Sequence, residues 1–257
     1  MMGKKFVSFH SMIRGSGKRT YMARAAKALS EKNYRVLLLD GYIYEVGGLL
    51  HRAVDVLDSV PEWREGCNLY DLIRDHVTLL SADPKSKKKD LDKIIQKLNL
   101  PDVTMYKGQA VPDILQRICH FPEYELIHFL SGSDCKNMDI KPAIDFERLF
   151  DDLPGCNFFD YLKSSLEPHY DFVLIDAPVG FYTISGILCG KLADLFLAVD
   201  VDSRAYRGRP SYEVGLKLAN NIRESGSPPP RVESIKGDKV SYLVQLIEGK
   251  EGVKGTA

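Results

Sequence analysis

The sequence lacks the features of a secreted, membrane-spanning or zinc-binding protein. Its five cysteines are odd in number and scattered, and none belongs to a C-x-x-C pair, so neither a disulfide framework nor a zinc site is indicated. No run of about 18 apolar residues occurs, and Met1–Lys5 leads into a short apolar stretch rather than a leader with a cleavage site. We therefore expect a cytoplasmic protein with reduced thiols.

The sequence also lacks an excess of either charge. Its 35 basic residues balance 35 acidic residues, so the molecule has no overall field that would gather nucleic acid or anionic lipid. The basic cluster Lys85–Lys89 is typical of a solvated loop beside a helix start. We expect neither a nucleic-acid nor a membrane partner.

The sequence nevertheless contains enough hydrophobic residues to form an apolar core. The chain has 257 residues, of which 44% are hydrophobic and 27% are charged, as in soluble globular proteins. Apolar runs that are typical of strands covered on both faces alternate with helical patterns. This alternation predicts a doubly wound α/β fold with a mainly parallel sheet and helices on both faces. The predicted strands are Phe6–His10, Tyr34–Asp40, Leu126–Leu130, Phe172–Asp176 and Leu195–Asp200.

The helical patterns lie between these runs. Met22, Ala25, Ala26 and Leu29 share one helix face after the first strand, and Phe158–Leu166 predicts another helix. Prolines break the stretch of about 54–125 into short amphipathic segments without a strong strand run, which predicts a helical insertion. We expect a domain over 1–225 and then, over 226–257, a Pro-rich linker and C-terminal segment with one strand or helix at Val240–Ile247.

The segment between the first strand and the first helix has the composition of a phosphate-binding loop. Glycines let successive backbone N–H groups turn inward, and the helix N-terminus adds partial positive charge. The side chain of Lys18 can reach the outer phosphates. A Gly-rich turn ahead of a helix is the alternative interpretation. The predicted loop residues are Arg14, Gly15, Ser16, Gly17, Lys18, Arg19 and Thr20.

Two carboxylates end buried strands and strengthen this interpretation. Asp40 ends the second strand and Asp176 ends the fourth, and ligands of such folds bind at this edge of the sheet. Asp176 can hold magnesium through water, and Gly180 can offer its N–H to a terminal phosphate. Either aspartate alone can also be a helix cap.

Together these residues resemble the MinD/ParA ATPases of the P-loop fold. The family's loop reads K-G-G-x-G-K-T-T, and a bacterial group with F-Y-S-Y-K-G-G-V-G-R is especially similar to the stretch from Phe9 to Lys18. Arg35–Asp40 resembles the second-strand motif, and Tyr170–Gly180 resembles Y-D-Y-V-L-I-D-x-x-x-G. The likeness covers roughly 1–52 and 126–218.

The resemblance implies an ATP- and Mg²⁺-binding site, but several family positions differ. Ile13 stands where the family has a lysine that reaches a partner's phosphates across a dimer, with Arg14 as a possible replacement. Arg19 replaces a hydroxyl that binds magnesium, and a guanidinium offers donors only; Thr20 remains. Tyr42 replaces the second acid of the D-x-D motif, with Glu45 as a distant candidate, and Pro228–Pro230 falls where the base-binding edge is expected.

Other polar residues carry weaker signals. Asp200, Asp202, Arg204 and Arg207 lie in the loop after the fifth strand, where either nucleotide contacts or a solvated turn fits. The histidines share no metal-ligand spacing, which favours core or surface roles. They are His10, His51, His76, His120, His128 and His169.

The leading hypothesis is a slow, magnesium-dependent ATPase whose nucleotide state governs dimerisation or partner binding. Lys18 would neutralise the β and γ phosphates, Asp176 and Thr20 would hold the metal, and Asp40 would orient the attacking water. A catalytically inactive pseudo-ATPase that serves as an interaction scaffold is the first alternative, favoured by Ile13, Arg19 and Tyr42. A kinase or synthetase that acts on a small substrate is the second.

Overall fold

The protein folds around one seven-stranded sheet. The computed structural model describes residues 5–43, 48–62, 64, 66–81, 96, 103–107, 109–133, 158–180, 183–200, 210–224, 227–235 and 240–250. Glu45, Lys85–Lys89 and three of the residues named in the loop after the fifth strand, Asp202, Arg204 and Arg207, lie outside these ranges. The strands are β1 Phe6–His10, β2 Val36–Asp40, β3 Val103–Tyr106, β4 Gln109–Pro112, β5 Cys119–Phe121, β6 Tyr124–Leu130, β7 Phe172–Asp176, β8 Leu195–Val199 and β9 Arg231–Ile235.

The sheet has the order β5-β6-β2-β7-β1-β8-β9. All neighbouring strands are parallel except β5, which runs antiparallel to β6. The strands β3 and β4 form a separate antiparallel hairpin. The helices are α1 Lys18–Ser30, α2 Gly48–Leu57, α3 Leu69–Ser81, α4 Phe158–Leu166, α5 Thr183–Ile187, α6 Pro210–Glu224 and α7 Val240–Ile247.

Helices cover both faces of the sheet. Successive strand residues point to opposite faces, and in β2 Leu37 and Leu38 belong to two different clusters of buried side chains. Side chains of α3, α4 and α5 pack into the cluster of Leu37, whereas those of α1, α2 and α7 pack into the cluster of Leu38. The prediction of a doubly wound, mainly parallel α/β fold is confirmed.

Most of the predicted elements appear with the expected bounds. The strands Phe6–His10 and Phe172–Asp176 and the helix Phe158–Leu166 match the prediction residue for residue. The predicted helix face is buried as well, since Met22, Ala25, Ala26 and Leu29 are inaccessible to solvent. The open choice at Val240–Ile247 is decided in favour of a helix.

The stretch of about 54–125, predicted as a helical insertion without a strong strand run, is not purely helical. It contains α3, but also β3, β4 and β5. Each of these strands has only three or four residues, which is too short for the alternation of a strand to stand out. Strand β9 was not predicted either, yet it pairs with β8 over Leu195–Val199.

Parallel pairing brings the two aspartates to one edge of the sheet. In the register of β2 and β7, Asp40 is the partner of Asp176. Strand β1 lies beside β7, with Phe9 opposite Asp176, and the loop between β1 and α1 therefore starts next to both carboxylates.

Among the described helices, none is long and apolar enough to cross a bilayer. The described cysteines, Cys67, Cys119 and Cys189, are buried free thiols.

Candidate phosphate-binding site

The loop between β1 and α1 contains two glycines in the left-handed conformation. Gly15 has a φ of 80° and Gly17 a φ of 77°, a region that residues with a Cβ rarely adopt. Gly17 is the residue before α1, and its carbonyl accepts a hydrogen bond from Tyr21 N–H at 3.0 Å. The glycines thus turn the chain sharply into the helix, with the first N–H groups of α1 next to the loop.

This loop forms one wall of a cavity of about 600 Å³. Loop and first-turn residues Ile13–Thr20 line it together with Val179 and Tyr42. Another wall comes from α2, where the exposed Arg52 and Asp55 form an ion pair at 3.1 Å. Arg52 and Asp55 were not among the residues predicted to bind a ligand. His51, also on α2, completes the lining.

Lys18, the first residue of α1, is buried. Its ammonium lies 2.6 Å from Asp176 Oδ1 and also donates a hydrogen bond to the carbonyl of Ala177. The geometry at Oδ1 is that of an ion pair without a well-aligned hydrogen bond. The Lys18 ammonium is therefore directed at the end of β7 in this structure, although the residue is part of the cavity lining.

Arg19 holds the second oxygen of the same carboxylate. Its Nε donates to Asp176 Oδ2 at 2.7 Å, and Asp176 itself is inaccessible to solvent. The guanidinium carbon lies 4.3 Å from the centre of the Tyr42 ring, within the range of a cation–π contact. Arg19 retains 29% exposure and lines the cavity.

Tyr42 follows β2 and connects three parts of the site. Its hydroxyl accepts a hydrogen bond from Val179 N–H at 2.8 Å, and its own N–H donates to Asp40 Oδ1 at 3.0 Å. Gly132 makes room for this segment, because a Cβ there would lie 2.5 Å from the Tyr42 carbonyl oxygen and 2.8 Å from that of Asp40. In the sequence, Tyr42 stood out as the replacement for the second acid of the D-x-D motif. In the structure, it connects Arg19, Asp40 and Val179.

Asp40 is fully buried beside Asp176. Its Oδ2 has no hydrogen-bond partner within the described part of the chain. Burial, followed by the negative charge of Asp176, raises the pKa of Asp40 from 3.8 to about 7. Burial next to Asp176 therefore favours the protonated form of the Asp40 carboxyl.

The backbone of Gly180 is hydrogen-bonded to His10, the last residue of β1, and to Ser11, which follows it. Its N–H, which we predicted to contact a terminal phosphate, donates to the Ser11 carbonyl at 3.3 Å. Its carbonyl accepts a hydrogen bond of 2.9 Å from Nε2 of His10, which fixes a proton on that nitrogen. Burial lowers the pKa of His10, which favours the neutral imidazole.

Asp200 has the role of a helix cap. Its carboxylate accepts hydrogen bonds from the N–H groups of Ser211 and Tyr212, at 2.9 Å and 3.3 Å, in the first turn of α6. The hydroxyl of Ser211 in turn accepts a hydrogen bond of 3.0 Å from Met12 N–H. Asp200 therefore supports the loop between β1 and α1 through α6.

The donor set does not fit a divalent cation in this arrangement. Magnesium requires oxygen ligands that are free to face it, but both carboxylate oxygens of Asp176 are in contact with cationic nitrogens. Asp40 is buried, and Thr20 is the one predicted oxygen ligand that lines the cavity. Within the described ranges, no group of three or more His, Cys, Asp or Glu residues could hold a metal ion.

No family model and no curated protein matches the chain. Similar solved structures include the kinase domain of VpsO, at 16% identity over 91% of this chain and 86% of that one, with a TM-score of 0.48. Cobyrinic acid a,c-diamide synthase from Mycobacterium smegmatis, solved with ADP and magnesium, is 16% identical over 94% and 79% of the two chains, with a TM-score of 0.47. The cell division ATPase MinD of Pyrococcus furiosus is also 16% identical, over 94% and 80%, with a TM-score of 0.43.

At these identities and TM-scores, the similarities carry no argument on function. The fold assignment depends on the strand order and the two helical layers described above. The narrower resemblance to the bacterial group with the K-G-G-V-G-R loop stays a prediction.

Proposed function

We propose that this chain binds the phosphates of a nucleotide, ATP or ADP, at the loop Arg14–Thr20 and does not hydrolyse it at an appreciable rate. The observation that carries this proposal is the pair of left-handed glycines at the start of α1, which open onto a cavity of about 600 Å³. Such a turn directs backbone N–H groups and the positive end of the helix at an anion.

The charges around the loop support an anionic ligand. Arg14 is exposed on the cavity wall, and Lys18 and Arg19 follow at its base. To neutralise the β and γ phosphates, the Lys18 ammonium would have to turn away from Asp176 Oδ1, which it contacts at 2.6 Å. The N–H groups from Gly15 to Thr20 would surround the phosphates. Gly180 can offer its N–H to a phosphate only by giving up Ser11, so its predicted role depends on a movement of that turn.

The surroundings of the two aspartates favour binding over turnover. A base for the attacking water has to reach the ligand, whereas Asp40 is fully buried and bonded to Tyr42 N–H. Asp176 compensates two cations of the protein. These contacts favour the pseudo-ATPase over the slow magnesium-dependent ATPase. We keep the ATPase as the alternative because Thr20 lines the cavity.

Calorimetric titration with ADP tests the binding. We expect Lys18→Gln to weaken ADP binding at least about tenfold, because a charged hydrogen bond to phosphate is lost. Lys27→Gln, on the same helix but away from the cavity, is the matched control. Circular dichroism establishes that both variants fold. Equal affinity for the wild type and Lys18→Gln, or no binding to either, would contradict the proposal.

Phosphate release from ATP separates the two forms of the proposal. We expect release at the rate of the buffer alone. Turnover that Asp176→Ala abolishes would instead establish the ATPase.

Nucleotide binding is also proposed to govern self-association or contact with a partner protein. The rim of the cavity on α2 is exposed and charged, at Arg52 and Asp55, so a bound nucleotide would change the charge of a surface that another chain can meet. The elution volume on a sizing column with and without ADP measures self-association. An unchanged volume argues against nucleotide-driven dimerisation.

A further inference from the structure

The cations around Asp176 leave no place for the metal that the sequence led us to expect. Lys18 Nζ lies 2.6 Å from Oδ1, and Arg19 Nε lies 2.7 Å from Oδ2. The carboxylate is inaccessible to solvent, so its charge is compensated within the protein. A divalent ion would have to displace one of these partners before it could bind to Asp176.

Arg19 is held in position rather than extended into water. Asp176 binds its Nε from one side, and the ring of Tyr42 lies 4.3 Å from the guanidinium carbon. Tyr42 is itself fixed by Val179 N–H, which donates to its hydroxyl. A guanidinium that is oriented before the ligand arrives loses little conformational freedom on binding.

The guanidinium also has donors left for a ligand. Arginine carries five N–H groups, and Asp176 uses the one on Nε. The described residues provide no hydrogen-bond partner for the two terminal nitrogens, while the side chain lines the cavity beside the phosphate loop. Paired N–H groups match the spacing of phosphate oxygens, which is why arginine is common at phosphate sites.

From this geometry we infer that Arg19 is a built-in cation that takes the place of Mg²⁺, so that the loop binds nucleotide phosphates without a divalent metal. Asp176 and Tyr42 are positioning residues for Arg19. This inference rests on the proposed function, since it concerns the same ligand. It also gives a physical reason for slow or absent turnover, because a guanidinium neutralises phosphate oxygens but cannot activate a water as a metal ion does.

The decisive experiment is a calorimetric titration of the full chain with ADP, first in EDTA and then in saturating MgCl₂. We expect ADP to bind in EDTA with an affinity equal to or higher than that in MgCl₂. Binding that requires MgCl₂ overturns the inference but leaves the proposed function standing. If ADP binds under neither condition, the proposed function itself fails.

Arg19→Thr tests the residue directly, because threonine restores a hydroxyl that can bind a metal ion. We expect ADP affinity in EDTA to fall about 10- to 100-fold, the effect of losing charged hydrogen bonds. We also expect MgCl₂ to recover part of the loss. Arg24→Thr is the matched control, since Arg24 is an exposed residue of α1 outside the cavity lining, and its ADP affinity should not change.

If Arg19→Thr binds ADP in EDTA as the wild type does, Arg19 does not replace the metal. Arg19→Lys covers the case in which the threonine variant fails to fold. It keeps the charge but loses the paired donors, so we expect a smaller loss of affinity in EDTA and still no requirement for MgCl₂. An absolute requirement for MgCl₂ in Arg19→Lys contradicts the inference as well.

Discussion

Asp176→Asn is the most informative change to the site, because it keeps the shape of the side chain and removes the charge between Lys18 and Arg19. Breaking a buried ion pair by removing one partner costs about 3–5 kcal/mol, since the remaining charge stays buried. Arg19 is 29% exposed, and water screens part of its charge. We therefore expect a loss near the lower end, about 3 kcal/mol in the free energy of unfolding.

This loss is large enough to appear in a thermal melt. For chains of about this length, 1 kcal/mol corresponds to roughly 2–4 °C in Tm, so the Tm of Asp176→Asn should fall by roughly 6–12 °C. Asp160→Asn serves as the control. Asp160 is 59% exposed, with Lys191 at 3.9 Å, and exposed pairs of this kind contribute at most about 1 kcal/mol.

The same variant should bind ADP more tightly in EDTA. Without Asp176, two cations beside the loop lack their counter-charge and attract an anion more strongly, by about tenfold or more in affinity. If Asp176 instead holds a metal that the nucleotide needs, the variant must bind ADP more weakly than the wild type in MgCl₂. An unchanged Tm together with weaker ADP binding would refute the reasoning from the ion pairs.

Three further predictions concern buried polar groups and close packing. Because its raised pKa makes the folded protein bind more protons than the unfolded chain between pH 3.8 and about 7, ionising Asp40 costs stability as pH rises through this window. From pH 5 to pH 8, the free energy of unfolding of Asp40→Asn should therefore rise by about 2–3 kcal/mol relative to that of the wild type, as measured by urea unfolding. Curves of unfolding free energy against pH that run parallel for the two proteins would contradict this prediction. Burial lowers the pKa of His76 from 6.5 to about 4, so the wild type loses stability as pH falls through this range. In the same assay, His76→Leu should remove about 3 kcal/mol of that loss at pH 4. An unchanged loss of stability in acid would disprove this prediction. Gly132→Ala should lower the free energy of unfolding by about 1–3 kcal/mol, because its Cβ would lie 2.5 Å from the Tyr42 carbonyl oxygen. Gly186→Ala is the control and should cause no such loss, because a Cβ there meets nothing within 4 Å. Equal Tm values for the two variants would contradict the predicted clash.

The sequence predicts the centre of the sheet well because its strands are buried on both faces. Four of the predicted apolar runs, those of β1, β2, β7 and β8, are fully buried in the structure. The short strand β5 and the strand β9 were missed for different reasons. β5 has only three residues, and β9, with the sequence Arg-Val-Glu-Ser-Ile, carries charged and polar residues at an edge of the sheet.

For the site, the sequence predicts which residues meet but not how they pair. Asp40 and Asp176 come together because parallel neighbours end at the same edge. That Arg19 occupies the second oxygen of Asp176 could not be predicted, since the choice between ligand, metal and guanidinium depends on distances of a few tenths of an ångström. The α2 wall was missed because Arg52 and Asp55 have the pattern of an ordinary solvated helix face.

The contacts of Tyr42 join the turn after β2 mechanically to the turn after β7. Its ring lies against Arg19, and its hydroxyl accepts the N–H of Val179. Next to Val179, Gly180 is bonded to both Ser11 and His10. These contacts connect the Arg19 guanidinium through Tyr42 and Gly180 to the end of β1, so a ligand that displaced Arg19 would have to disturb both turns as well.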